Sequence, residues 1–214
     1  MNSRDYSPID RALVQLDQAV RTVFGRPQTT ERVNPANGVP EVELDEHERR
    51  YIARLMRINH TGEVCAQALY QGQALAARRP EIARSMDRSA KEENDHLDWC
   101  ERRLDELGDR KSLLNPLWYA GSFAIGALAG LAGDKWSLGF VVETERQVES
   151  HLEGHLAEVP PKDQRTRAIL EQMKADEAHH AEVAHSAGAA PLPAPVRLAM
   201  RLTSKLMTRS VYWV

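Results

Sequence analysis

Two copies of one pattern constrain this chain more than any other feature. Glu93-x-x-His96 follows a lone Glu63 by 30 residues (93 − 63), and Glu177-x-x-His180 follows a lone Glu145 by 32 (177 − 145). The spacing of apolar residues around each acid predicts a helix with that acid in the middle of its core-facing stripe. Ile52, Met56 and Tyr70 flank Glu63; Met86, Leu97 and Cys100 flank Glu93 and His96; Leu138, Val142 and Leu152 flank Glu145; Leu170, Met173 and Ala184 flank Glu177. An unpaired carboxylate on such a stripe is costly and shifts its pKa to escape ionisation. Four of them demand a shared positive partner, which two divalent or trivalent cations supply. Glu and His at i and i+3 share a helix face. Each motif Glu is therefore placed to bridge two ions while its His caps one, with Glu63 and Glu145 as terminal carboxylates. Oxygen and imidazole donors suit iron or manganese, and the absence of thiolate ligands disfavours structural zinc.

The rest of the chain reads as all-α, with almost no period-two alternation. Residues 1–44 form an N-terminal helix (Asp10 to Phe24) and a linker punctuated by Pro27, Pro35, Gly38 and Pro40; residues 45–214 form one helical domain. Asp45 and Glu48 have the spacing of a capping box for a helix running to about Arg78. Pro80 starts a second helix, to about Gly108. Asp134 to Val159 and a following helix to about Gly188 complete the four long elements.

Charge is unevenly placed. The net charge of −3 and the lack of an aromatic-basic motif argue against a nucleic-acid partner. Ser112 to Gly133 contains no charged residue. The glycines and Asn115-Pro116 make it a poor straight membrane span, so it is expected to be a hydrophobic hairpin or interfacial helix, or else a buried connection between bundle halves. No Asp or Glu follows Glu182, and Arg197, Arg201, Lys205 and Arg209 recur beside Leu198, Leu202 and Leu206, ahead of Tyr212 and Trp213. That is a basic amphipathic helix suited to an anionic bilayer surface, or to another subunit. Cys65 and Cys100 read as small core residues, and two isolated thiols without an export signal point to a reducing compartment. Asp176 and Glu92 either grip the opposite motif's imidazole or are surface acids. His151 is a proton relay or polar packing. His60, His155, His179 and His185 are expected to be exposed, and Glu92, Asp95, Asp98, Glu143 and Glu149 to face outward.

The segments Ile58-Asn59-His60-Thr61-Gly62-Glu63, Glu92-Glu93-Asn94-Asp95-His96-Leu97, Val142-Glu143-Thr144-Glu145 with His151, and Asp176-Glu177-Ala178-His179-His180-Ala181 together resemble the Coq7 family of demethoxyubiquinone hydroxylases. Their ligand pattern is one already known from ferritin-like di-iron bundles. The resemblance spans about His47 to the C-terminus. It implies a ferritin-like bundle holding two iron ions per subunit through Glu63, Glu93, His96, Glu145, Glu177 and His180. The implied reaction is O2-dependent hydroxylation of a polyprenyl demethoxyubiquinol ring. It further implies a peripheral place on the cytoplasmic face of a bacterial inner membrane, with homo-oligomers and a ubiquinone-biosynthesis complex as expected associations. The rivals are a ferritin-like ferroxidase, a lipid-pathway scaffold and a manganese catalase. No nucleotide-binding glycine motif is present, so electrons come from outside the chain.

Overall fold

The computed structural model describes residues 7–30 and 32–214. Among them lie seven helices and no strand: α1 (Pro8–Phe24), α2 (Glu46–Ala76), α3 (Pro80–Glu106), α4 (Asn115–Leu131), α5 (Asp134–Glu158), α6 (Gln164–Ser186) and α7 (Ala194–Val211). The boundaries follow local chemistry. Asp45 accepts from Glu48 N while the Glu48 carboxylate accepts from Asp45 N, which is the expected capping box. Pro80 opens α3, and Asp163 caps α6 by accepting from Thr166 N.

The hairpins α2–α3 and α5–α6 make up a four-helix frame compatible with a ferritin-like bundle. Its interior contains two apolar cores. One gathers Ile52, Met56, Trp99, Leu104, Ile169 and Met173; the other gathers Tyr70, Ile82, Met86, Leu138, Val141 and Ala184. On every one of the four helices the Glu and His positions fall between these two sets. The polar layer is thus enclosed on both sides by dry packing, which supplies the low-dielectric setting that makes its charges interact strongly.

The uncharged segment forms the single helix α4, not a hairpin, and only one of its faces is buried. It runs parallel to α2: Thr61 donates to Asn115 Oδ1 at 2.8 Å, and further along Gly126 abuts Leu69. A Cβ on Gly126 would lie 2.3 Å from the Leu69 carbonyl oxygen, and one on Gly72 would lie 2.4 Å from that of Phe123. Glycine is required at both places because the backbones themselves touch. The opposite face presents Leu117, Leu128 and Leu131 to the exterior. No described helix is long and apolar enough to cross a membrane. The basic helix α7 buries only Val211 and exposes Leu198, Leu202 and Leu206. Its end is held where the Arg54 guanidinium sits 4.9 Å from the rings of both Tyr212 and Trp213.

The segment after α1 is an ordered strap along the bundle. Thr30 N donates to Asp95 at 2.7 Å, Arg32 pairs with Asp176 at 2.6 Å, and Glu41 accepts from Arg103 at 2.8 Å. Asp95, expected to face outward, is fully buried beneath this strap. Helical periodicity alone could not reveal a cover arriving from 65 residues away in sequence. Arg103 is buried too. It is satisfied by Glu41, Glu106, Asp163 and Thr166, so one guanidinium ties the strap, α3 and the α6 cap together.

Candidate metal centre

The six residues singled out by spacing converge between the two cores, each 4% exposed or less. His96 turns Nδ1 inward, 3.1 Å from Glu93, 3.2 Å from Glu177 and 3.5 Å from Glu63. His180 does the same, with Nδ1 3.2 Å from both Glu93 and Glu177. The donors fall into two groups, Glu63–Glu93–His96–Glu177 and Glu93–Glu145–Glu177–His180, whose ligand atoms lie within 4.8 Å of one another. Glu93 and Glu177 belong to both groups, and each remaining residue belongs to one.

The outer imidazole nitrogens cross between the hairpins. His96 Nε2 lies 2.9 Å from Asp176 on α6, and His180 Nε2 lies 2.7 Å from Glu92 on α3. Of the two readings left open by the sequence, Asp176 and Glu92 therefore take the gripping one. A carboxylate against Nε2 favours the tautomer with its proton there, leaving the inward Nδ1 lone pair free for a metal.

Electrostatics fits a cation-binding site. Burial pushes the carboxyls of Glu63 and Glu145 well above the usual carboxylate range. Burial also opposes ionisation of Glu93, but hydrogen bonds from His180 and His96 outweigh it and hold that carboxyl below its ordinary value. Burial opposes charge on His96 as well, and the surrounding acids, led by Asp176 and Glu177, nevertheless raise it far above an ordinary imidazole. Oε2 of Glu145 is buried without a hydrogen-bond partner, and Oε2 of Glu63 and Oε1 of Glu93 face only an imidazole Nδ1, at 3.5 and 3.2 Å. Native interiors rarely leave such atoms unmatched. Four carboxylates and two inward imidazole nitrogens make a donor set suited to hard or borderline cations.

Two features of the surroundings were not visible in the sequence. Tyr70, read as an apolar stripe residue, donates its hydroxyl to Glu145. Burial raises that hydroxyl's pKa, so it remains a donor. A largely apolar cavity of about 350 Å³ reaches Glu63 from between α2, α4, α5 and α7, with Leu69, Ile125, Phe140 and Met200 among its walls. Glu145 is not among its lining residues.

Two histidines depart from expectation. His60 and His155, expected to be exposed, are 1% and 6% exposed, and burial lowers the pKa of each to about 3. Asn115 Nδ2, 55 residues away in sequence, approaches His60 Nδ1 at 3.4 Å, while the His155 ring lies 4.0 Å from that of His151 one turn earlier in α5. His179 and His185 are exposed as expected, and Asp98, Glu143 and Glu149 are half-buried rather than fully outward. Cys100 is a core residue, whereas Cys65 lines the cavity, its thiol pushed up to about 11 by burial.

The model of the family described as ubiquinone biosynthesis protein COQ7 matches residues 50–211. A Nitrosococcus oceani protein named 3-demethoxyubiquinol 3-hydroxylase is 57% identical over 214 residues, the full length of both chains. Proteins of the same name from Xanthomonas euvesicatoria and Nitrosomonas europaea are 60% and 57% identical, covering 98% and 96% of this chain and 96% and 99% of their own. The matched span takes in the four-helix frame, α4, α7 and both Glu-x-x-His motifs, and on that ground the chain belongs to the COQ7 family.

Proposed function

We propose that this chain is a two-iron monooxygenase. It hydroxylates the ring of a polyprenyl demethoxyubiquinol (2-polyprenyl-3-methyl-6-methoxy-1,4-benzoquinol) with O2, in ubiquinone biosynthesis. The observation that carries the reading is the apolar cavity ending at Glu63, one of the carboxylates of a buried donor cluster able to hold two ions. A storage ferroxidase has no use for such a cavity. The names carried by relatives at 57–60% identity support the same reaction.

In this reading Glu63, Glu93, His96, Glu145, Glu177 and His180 would hold the two irons, with Nδ1 the nitrogen each imidazole offers and Glu93 and Glu177 common to both donor groups. Two ferrous ions, when bound, supply the O2 activation that aromatic hydroxylation requires. The chain's own residues do the rest. Asp176 and Glu92 orient the imidazoles. Tyr70 holds Glu145 in place. The two dry cores and the cavity wall keep bulk water from the reacting ring. The cavity takes the quinol ring toward Glu63 and lets the prenyl tail leave between α4 and α7. Those helices carry the exposed apolar and basic faces expected at an anionic membrane surface, which fits a peripheral enzyme at the cytoplasmic face of a bacterial inner membrane. Residues 45–214 form the hydroxylase unit, and residues 1–44 provide the helix and strap that brace it.

The test is turnover of iron-loaded protein with a short-tailed demethoxyquinol under ¹⁸O2 and a chemical reductant. The expected product carries one labelled hydroxyl, and cells lacking the protein accumulate the demethoxy quinone. Unlabelled product, or a normal quinone profile in those cells, contradicts the reading.

A further inference from the structure

Four buried polar atoms without hydrogen-bond partners belong to residues lining the cavity: Asn59 Oδ1, Glu63 Oε2, Trp118 Nε1 and His151 Nε2. Glu63 is accounted for by metal binding. The other three sit on a largely apolar wall, where an unmatched buried polar atom calls for a partner. Asn59 is the clearest case. It is 3% exposed, and its amide nitrogen reaches only the Met56 sulfur, at 3.8 Å. A leucine would fill the same space without leaving an unmatched carbonyl.

The three groups lie within about one helical turn of one another along the bundle. α2 and α5 are antiparallel, tied by Tyr51–Glu158 toward one end and Gln73–Ser137 toward the other, a register that sets Asn59 level with His151. α4 runs parallel to α2 through Thr61–Asn115 and Leu69–Gly126, which brings Trp118 to about the level of Glu63. Asn59 precedes Glu63 by one helical turn, so their Cβ atoms are roughly 5–6 Å apart. Three unmatched groups therefore lie on cavity-lining residues within about one turn of Glu63.

Their chemistry is specific. Asn59 Oδ1 only accepts, Trp118 Nε1 only donates, and His151 Nε2 does either according to its tautomer. The matching ligand is an aromatic ring with a hydroxyl that donates to Asn59 and an ether or hydroxyl oxygen that accepts from Trp118. A quinone carries no hydroxyl to donate. We propose that Asn59, with Trp118 and His151 beside it, forms a collar that holds the substrate ring by its hydroxyl and selects the reduced quinol over the oxidised quinone. The proposal rests on the quinol-hydroxylase reading and assigns that reading its specificity residues.

The test is anaerobic binding to the iron-loaded full chain, read by calorimetry. The probes are a short-tailed demethoxyquinol, its quinone and its dimethyl ether. Without O2 there is no turnover, so binding is read apart from catalysis. The wild-type protein is expected to bind the quinol roughly ten-fold more tightly than the ether or quinone, the scale of one or two hydrogen bonds. Asn59→Leu is expected to reduce that preference to about two-fold while keeping the iron content and iron spectrum unchanged. Trp118→Phe should weaken binding of all three methoxylated probes and preserve their order. Should Asn59→Leu lose its iron, Asn59→Ala, which adds no bulk, carries the same comparison. An unchanged preference in the Asn59 variants, or no preference in the wild type, overturns the collar. A wild type that prefers the quinol yet never hydroxylates it overturns the proposed reaction and leaves the collar standing.

Discussion

The two hairpins bring nearly the same donors to the centre but surround them differently. On the α2–α3 side, the lone acid Glu63 lines the cavity, and the nearest polar group to its carboxylate is His96 Nδ1 at 3.5 Å. On the α5–α6 side, its counterpart Glu145 lies away from the cavity lining and accepts the Tyr70 hydroxyl. The shared Glu-x-x-His repeat accounts for what binds at the centre. The difference between the lone acids accounts for where a substrate reaches it: one half is the working edge, the other a braced back wall.

The largest effect on this arrangement should come from the residues that belong to both halves. Glu93→Ala or Glu177→Ala is expected to reduce hydroxylation to background while circular dichroism retains the helix content, because each substitution unlinks the metal pair without deleting an apolar group. Near-normal turnover in either variant would show that the two donor groups do not act together.

The back wall is tested by Tyr70→Phe. Losing this outer hydrogen bond is expected to lower kcat or iron affinity by about 10–100-fold, as for other partners of metal ligands. Because Tyr70 does not line the cavity, KM for the quinol should hardly move. A rise in KM comparable with the fall in kcat would erase the distinction between working edge and back wall.

How far the chain could be read without coordinates follows the same division. The convergence of the six donor residues and the capping box at Asp45 and Glu48 were legible because each depends on spacing within a helix or on the repeat, whereas for Glu92 and Asp176 the sequence left the crossed grip and a surface place equally open. The asymmetry was not legible. Asp95, His60, His155 and the Tyr70 hydroxyl owe their surroundings to Thr30, Asn115, His151 and Glu145, and most of these partners come from elsewhere in the sequence. The cavity likewise exists only once α4 and α7 are set against α2 and α5. The glycines of α4 had signalled a poor straight span. Their role as contact points with α2 depends on which backbone lies opposite.

Each half also buries one neutral histidine outside the donor cluster, His60 in α2 and His155 in α5. Burial lowers both folded pKa values to about 3. Below about pH 6.5 the unfolded chain therefore takes up protons that the folded chain refuses, and stability falls as pH drops from there toward 3. The limiting slope is about 1.4 kcal/mol per pH unit for each histidine. Urea titrations between pH 7 and 4 should show this loss, and His155→Gln should remove part of it. Stability independent of pH over that range would mean that neither histidine is sealed from water.

The smallest expected effects on turnover lie at the outer edge of the cavity. Replacing Arg197, Arg201, Lys205 and Arg209 with Gln should weaken binding to anionic liposomes by about 1 kcal/mol per residue at low salt, and Leu128→Asp should weaken binding to neutral liposomes. Activity on a short-tailed quinol should survive both. Unchanged co-sedimentation of both variants would make α4 and α7 subunit contacts instead.

The most direct test of the central claim is metal stoichiometry with Mössbauer spectroscopy on protein reconstituted with ⁵⁷Fe(II). The account expects two irons per chain, coupled as a pair once oxidised, with neither coordinated by sulfur. One iron per chain, or full activity with zinc filling the site, would contradict it.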